Sequence, residues 1–369
     1  MPKYIVSSSP HISTTFTTRK MMLDVIIALI PATIASVLLY GFYPLFLMIL
    51  CVGSCVFSEW LFNLMCKRYQ SVGDLSAVVT GMILALNLPP VVPFYVPMVG
   101  GAFAIIIVKM LFGGIGKNFA NPAITARIFL LLCWTTVMTS YVVPIDLKDG
   151  SNLFVYFKQA VNIDLNSVAG ITSATPLAYV KDAVKTGANP ADLLSAGNIT
   201  ALDMFLGRIG GSAGEVSTLA VLIGGIYLLV RRVIDWRIPA LYIGSLVVFT
   251  SIFFAKSGCV GDYIWTYLLG GGFAFGAFFM ATDYATSPKT CLAVVIYGVG
   301  LGFLTVIFRK YGTMNEGVSF AILLMNVLTP LLDRIIPRAF GAPKKNNFAK
   351  ASKKRKKDER EAVVEGGAK

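Results

Sequence analysis

A succession of long apolar runs, separated by short polar or basic stretches, constrains this chain more than any other feature. A helix needs about 20 consecutive, mostly apolar residues to cross the hydrocarbon of a bilayer. The runs lie at 21–41, 42–66, 75–88, 95–115, 123–143, 216–230, 238–255, 262–281, 291–308 and 317–336. They predict an all-α integral membrane protein of about ten transmembrane helices, because a helix satisfies its own backbone in lipid. Composition supports this where it matters. Of the residues, 56% are hydrophobic and only 14% charged, against roughly a quarter charged in ordinary soluble domains.

The net charge of +13 does not mark a nucleic-acid binder. The segment 344–369 alone holds ten Lys/Arg and four Asp/Glu, which is about six of the thirteen charges. A basic tail after an apolar run places that end in the cytoplasm. Contact with anionic lipid or an acidic partner is the sharper alternative. With an even number of spans, both termini are cytoplasmic. Lys67, Arg68, Lys117, Arg231, Arg232 and Arg237 then fall in cytoplasmic loops, and the turn 257–261 falls outside. Arg309 and Lys310 land outside, against the rule. The region 144–215 also lands outside, with seven acids and five bases.

This orientation divides the chain into five parts: a cytoplasmic N-terminal segment 1–20, a five-helix half 21–143, an extracytoplasmic loop 144–215, a second five-helix half 216–337 and a basic cytoplasmic tail 338–369. No short apolar core with a small-residue cleavage site precedes residue 20, so no cleavable signal peptide is expected. Because five is odd, the second half enters the membrane from the opposite face, giving two inverted five-helix halves. No residue-level repeat accompanies that topology. Broken helices are expected at 87–90, where Pro89 and Pro90 stand together, and at 281–288. Glycines crowd nearby at 100–101, 113–114 and 270–272. Small residues let helices pack closely. Irregular backbone also lines cavities, since unsatisfied amides cannot face lipid. The polar residues beside the breaks favour cavities.

Few residues here can carry chemistry. The six cysteines (51, 55, 66, 133, 259 and 291) form no C-x-x-C pair, and His11 is the single histidine. Neither set can hold an iron–sulfur cluster or a histidine-based metal centre. The stretch Gly170-Ile171-Thr172-Ser173-Ala174-Thr175-Pro176-Leu177 reads first as a Ser/Thr cap before a helix over 177–184. The Thr175 hydroxyl can also form a phosphoester, and small neighbours leave it accessible. A helix start would favour the phosphate. Glu59 and Lys109 lie inside spans, where a charge costs at least ~2.5–3.5 kcal/mol. Lys109 is expected to snorkel toward the cytoplasm. Glu59 has a shorter reach. It binds a cation on an ion path, pairs with a base, or stays protonated. Asp283, at a helix break, is a polar-cavity candidate.

Several segments together resemble one family. Thr172-Ser173-Ala174-Thr175 resembles the flavinylation motif of the D-subunit of Rnf-type electron-transport complexes, shared with the B-subunit of the sodium-pumping NADH:quinone reductase. The chain departs from that motif at Ala169 and Ser173. Residues 74–81 (DLSAVVTG) with 84–90 (LALNLPP), Lys109 with 113–123 (GGIGKNFANPA), and 279–288 (FMATDYATSP) resemble further signatures of the family. The resemblance covers nearly 21–338.

It implies covalent FMN on Thr175, with Thr172, Ser173 and Ala174 as recognition context. It also implies a second, noncovalent flavin, riboflavin, beside Asn118 and Asn121. The alternative for both asparagines is capping and loop stabilisation. The implied activity belongs to a bacterial inner-membrane complex coupling ferredoxin:NAD+ redox chemistry to Na+ or H+ movement. This chain carries no dinucleotide fingerprint or ferredoxin-type cysteine run. It therefore needs a second flavoprotein subunit and iron–sulfur subunits as partners. The quinone-reductase subunit has a longer N-terminal extension, which favours the Rnf relative. A small-solute transporter of inverted-repeat fold is the alternative of another class.

Overall fold

Each apolar run is helical over most of its described residues in the computed structural model, although the run at 123–143 is interrupted at Trp134 and ends as helix at Met138. The structure describes residues 17–142, 144, 175–186, 189–197, 199–214, 217–312 and 317–334. In chain order the helices are α1 (Thr18–Tyr40), α2 (Tyr43–Met65), α3 (Ser76–Leu86), α4 (Tyr95–Met110), α5 (Pro122–Cys133) and α6 (Thr135–Met138). Then follow α7 (Pro176–Thr186), α8 (Pro190–Ala196) and α9 (Ala201–Leu206). The last group is α10 (Thr218–Val230), α11 (Arg237–Phe253), α12 (Val260–Leu269), α13 (Phe273–Met280), α14 (Cys291–Tyr311) and α15 (Val318–Leu332). No strand occurs among the described residues.

The helix starts follow side-chain chemistry. Thr17, Ser217 and Thr290 each accept a hydrogen bond from the amide three residues on. Asn121 caps α5 ahead of Pro122, and Thr200 forms a reciprocal capping box with Asp203. The region 144–215, expected as a loop, carries the three short helices α7–α9.

Length sorts these helices. Three of them, α1, α2 and α14, are long and apolar enough to cross a membrane. A fourth span requires α12 and α13 together, which meet at a 60° bend. The run 262–281, expected as one helix, is thus broken at Gly271 and Gly272, whose φ values of 62° and 64° lie in the left-handed region. Six further apolar helices are shorter.

The surface is that of a protein solvated by lipid. Ile49, Phe57, Ile223, Ile252, Leu292 and Val327 are exposed, while Glu59, Lys109, Asn87, Arg127 and Asn326 are buried. α2 packs on α3 and α4, α11 on α14, α14 on α15, and α1 on α10. The described helices belong to one unit ending at Asp333. The expected basic tail, 338–369, falls outside the described residues.

The α1–α10 contact turns on one glycine. A Cβ on Gly224 would lie 2.1 Å from the carbonyl oxygen of Ala28 and 2.9 Å from the ring of Phe279. Backbone cannot yield as a flexible side chain can. Gly224→Ala is expected to destabilise by about 1–3 kcal/mol. Gly53→Ala in α2, where nothing lies within 4 Å, is expected to be neutral or slightly stabilising. Thermal unfolding of the detergent-purified protein, followed by size-exclusion recovery, separates the two.

Candidate functional site: a polar cleft at the α3, α4 and α13 ends

Two helix distortions open the cleft. From Ala104 to Met110, α4 is wound as a π-helix, as is α13 from Gly276 to Met280. Such turns carry an extra residue, re-aim side chains, and often mark functional positions. Between them lies a cleft of about 750 Å³, its open mouth included. Its walls are apolar where Val79, Ile83, Ile115, Phe278 and Phe279 line it. Its polar groups include Ser76, Thr80, Lys109, Asn118, Asn121 and Asp283. Four residues singled out from the sequence, Asn118, Asn121, Lys109 and Asp283, thus come together on one wall system, although up to 174 residues separate them.

The two asparagines behave differently. Asn121 is fully engaged: its Oδ1 accepts from the Ala123 amide at 3.0 Å and its Nδ2 donates to the Met280 carbonyl at 3.3 Å. It caps α5 and ties that helix to α13, the capping role expected of it. Asn118 is otherwise. Its Oδ1 is buried and has no hydrogen-bond partner in the protein. A buried acceptor without a donor costs about 1–3 kcal/mol. A ligand bearing an N–H beside a flat apolar surface removes that cost, so the residues present fit an isoalloxazine ring. Asp283 accepts from Thr286 Oγ1 at 3.2 Å and receives the Ser287 amide on its carbonyl at 3.0 Å. These bonds fix the turn that closes the cleft.

Lys109 does not snorkel. It is 2% exposed, and its Nζ lies 2.8 Å from Oε2 of Glu59, which is 0% exposed. The expectation failed because a buried carboxylate one helix away outcompetes the route to water. Of the three options for Glu59, the structure shows pairing with a base. The pair is embedded further: Lys109 donates to Ser76 Oγ at 2.6 Å and Ser71 Oγ donates to Glu59 Oε1 at 2.5 Å. Asn63 Nδ2 donates to Ser71 Oγ at 3.1 Å.

Sequence reasoning passed over Arg127 and Asp24, each inside an apolar run. The rule that singled out Glu59 finds both. Arg127, 6% exposed, donates to Asn87 Oδ1 (3.1 Å), Ser319 Oγ (2.8 Å) and Ser212 Oγ (3.4 Å). It joins the proline break after α3 to α15 and to the segment before α10. Asp24 pairs with Arg231 at 3.3 Å and accepts from the Tyr227 hydroxyl at 3.1 Å.

Thr175 stands apart from the cleft. It is buried, against the accessibility expected from its small neighbours, and occupies the cap position of α7, where its Oγ1 accepts weakly from the Ala178 amide at 3.4 Å. The cap read from the sequence is therefore present. The same position, at the positive end of a helix dipole, favours an esterified phosphate. Thr172, Ser173 and Ala174 lie outside the described residues. Leu177 of α7 packs against Gly271, beside Arg309 at the end of α14. The turn bounding the cleft leads into the opposite end of α14, which is about 30 Å long for its 21 residues.

The segments that meet in this cleft are ones by which the sequence resembles a known family. The NQR2, RnfD, RnfE family matches residues 5–341. The chain belongs to that family. A relative from Acetobacterium woodii, the D-subunit of the Na+-translocating ferredoxin:NAD+ oxidoreductase complex, is 42% identical over 349 residues, covering 94% of this chain and 98% of its own. The D-subunit of the proton-translocating ferredoxin:NAD+ oxidoreductase complex of Clostridium ljungdahlii is 34% identical, covering 92% and 96%. The D-subunit of the ion-translocating oxidoreductase complex of Stutzerimonas stutzeri is 36% identical, covering 87% and 92%.

The ion pair yields a direct test. Glu59→Ala strands a buried ammonium and is expected to destabilise by about 3–5 kcal/mol. The double variant Glu59→Met/Lys109→Met removes both charges and is expected to recover most of that loss. Thermal unfolding of the two variants beside the parent measures the difference.

Proposed function

We propose that this chain is the flavin-bearing membrane subunit of an ion-translocating ferredoxin:NAD+ oxidoreductase complex. In this reading it spans the membrane ten times in two inverted five-helix halves. Both termini are cytoplasmic and the 144–215 region is extracytoplasmic. FMN is esterified to Thr175, and riboflavin sits in the cleft beside Asn118. The flavins supply one- and two-electron chemistry, while the protein supplies position, burial and hydrogen bonding. The coupled ion is Na+ or a proton. One relative's name specifies Na+ and another's a proton, the third leaves the ion open, and all three describe D-subunits of ion-translocating oxidoreductase complexes.

One observation carries the reading: a cleft with apolar walls presents a buried acceptor, Asn118 Oδ1, that no protein donor meets. Supporting it, Thr175 stands at a helix start, remote from the cleft along α14. The inverted arrangement gains support from packing. α2 pairs with α4 as α11 pairs with α14, and α1 and α10, first in each half, meet each other. The odd placement of Arg309 and Lys310 has a physical reason as well. Arg309 donates to the carbonyls of Tyr267, Gly270 and Gly271, and Lys310 to that of Phe253, so neither base is free to act as a topology signal.

Two variants of the native complex test the two flavin positions separately. Thr175→Ala is expected to abolish the fluorescent band that survives denaturing electrophoresis, while acid-extractable flavin remains. Asn118→Leu is expected to do the reverse, lowering extractable flavin at least about tenfold through a lost hydrogen bond and an obstructed cleft. A parent protein whose Thr175 peptide has unmodified mass would sink the covalent assignment.

A further inference from the structure

The Glu59–Lys109 pair joins two places that matter. Ser71, which hydrogen-bonds Glu59, lies in the stretch between α2 and α3 beside exposed Tyr69, Gln70 and Gly73. Lys109, with Ser76, lines the cleft. The bonds run without a gap from Ser71 Oγ to Glu59 Oε1, from Glu59 Oε2 to Lys109 Nζ, and from Lys109 Nζ to Ser76 Oγ, at 2.5, 2.8 and 2.6 Å. An ammonium has three donors. Two are taken by Glu59 and Ser76, leaving one for the cleft that Lys109 lines.

Stability does not account for the pair. A buried ion pair is often no more stabilising than apolar residues of the same volume. Ionisable groups at membrane depth instead mark pathways. An electron arriving on any group in this cleft brings a negative charge into a low-dielectric site, where a compensating proton is worth far more than in water.

We propose that Ser71, Glu59 and Lys109 form a proton relay from the exposed 66–75 stretch to the cleft. The proposal rests on the cleft binding a redox-active ring. Lys109 gives one proton to the reduced group and becomes a neutral amine. Glu59, protonated from solvent through the Ser71 hydroxyl, returns a proton to the amine and is again a carboxylate. Ser71 recovers its own proton from water. One proton enters the cleft per cycle, and no electron resides on these side chains. Asp283 is the other acid on the cleft wall, and its carboxylate and carbonyl are engaged by Thr286 and Ser287 within its own turn.

The test follows proton uptake, with a pH-indicating dye, and flavin bleaching together after rapid reduction of the purified intact complex. Acid-extractable flavin is measured in each sample. Ser71→Ala leaves the ion pair whole and cuts only the entry, while Glu59→Gln removes the carrier. With flavin retained, the relay predicts uptake lagging behind bleaching by about tenfold or more in either variant, since a positioned proton-transfer group contributes 10²–10⁴-fold. It also predicts a larger solvent isotope effect on the lagging phase. A merely structural role slows bleaching and uptake alike. Uptake that keeps pace with bleaching in both variants, with flavin present, overturns the relay and leaves the cleft assignment standing. A parent complex with no extractable flavin overturns the cleft assignment and the relay with it.

Discussion

Each polar group enclosed by these apolar helices has to find its partner within the protein, because lipid offers none. That constraint organises the whole fold. Pro89 and Pro90 end α3 early and leave its last carbonyls open. The segment before α10 answers them: Ala213 donates to the Leu88 carbonyl at 2.9 Å and Gly214 to that of Leu86 at 2.8 Å. Arg127 braces the same break through Asn87 and ties it to Ser212 and Ser319. At the other break, between α12 and α13, Arg309 fills the open carbonyls. Cations here act as internal caps for interrupted helices.

The cleft depends on the same accounting. Asn121 satisfies both sides of its amide and by doing so joins α5 to α13. Lys109 and Glu59 satisfy one another and two serines. Ser36 Oγ, Thr250 Oγ1 and Asn326 Nδ2 are also buried without a partner, but Asn118 Oδ1 is informative because its residue lines the cleft. An orphan acceptor in a cleft with apolar walls calls for a partner that is largely apolar with a donor on its edge.

Packing and function are linked through glycine and the π-turns. Gly224 lets α10 approach the Ala28 carbonyl of α1 and the Phe279 ring of α13. That contact supports the wall on which Phe278 and Phe279 stand. The π-turns in α4 and α13 bring Lys109 and Phe279 to the same space.

Much of the molecule was written in the chain itself. Apolar period and length gave helices in every expected run, because helix formation in an apolar medium is a local matter of backbone satisfaction. Cap chemistry placed starts at Asn121, Thr175, Ser217 and Thr290, since a cap needs only its own next three residues. Short motifs carried the family. Pairings across the chain were not written locally. That Glu59 meets Lys109 fifty residues away, that Asn118 is left without a donor while Asn121 is satisfied, and that Arg309 serves backbone carbonyls were decided by tertiary packing. A buried charge takes whatever partner the fold brings within about 3 Å, and no local pattern encodes that distance.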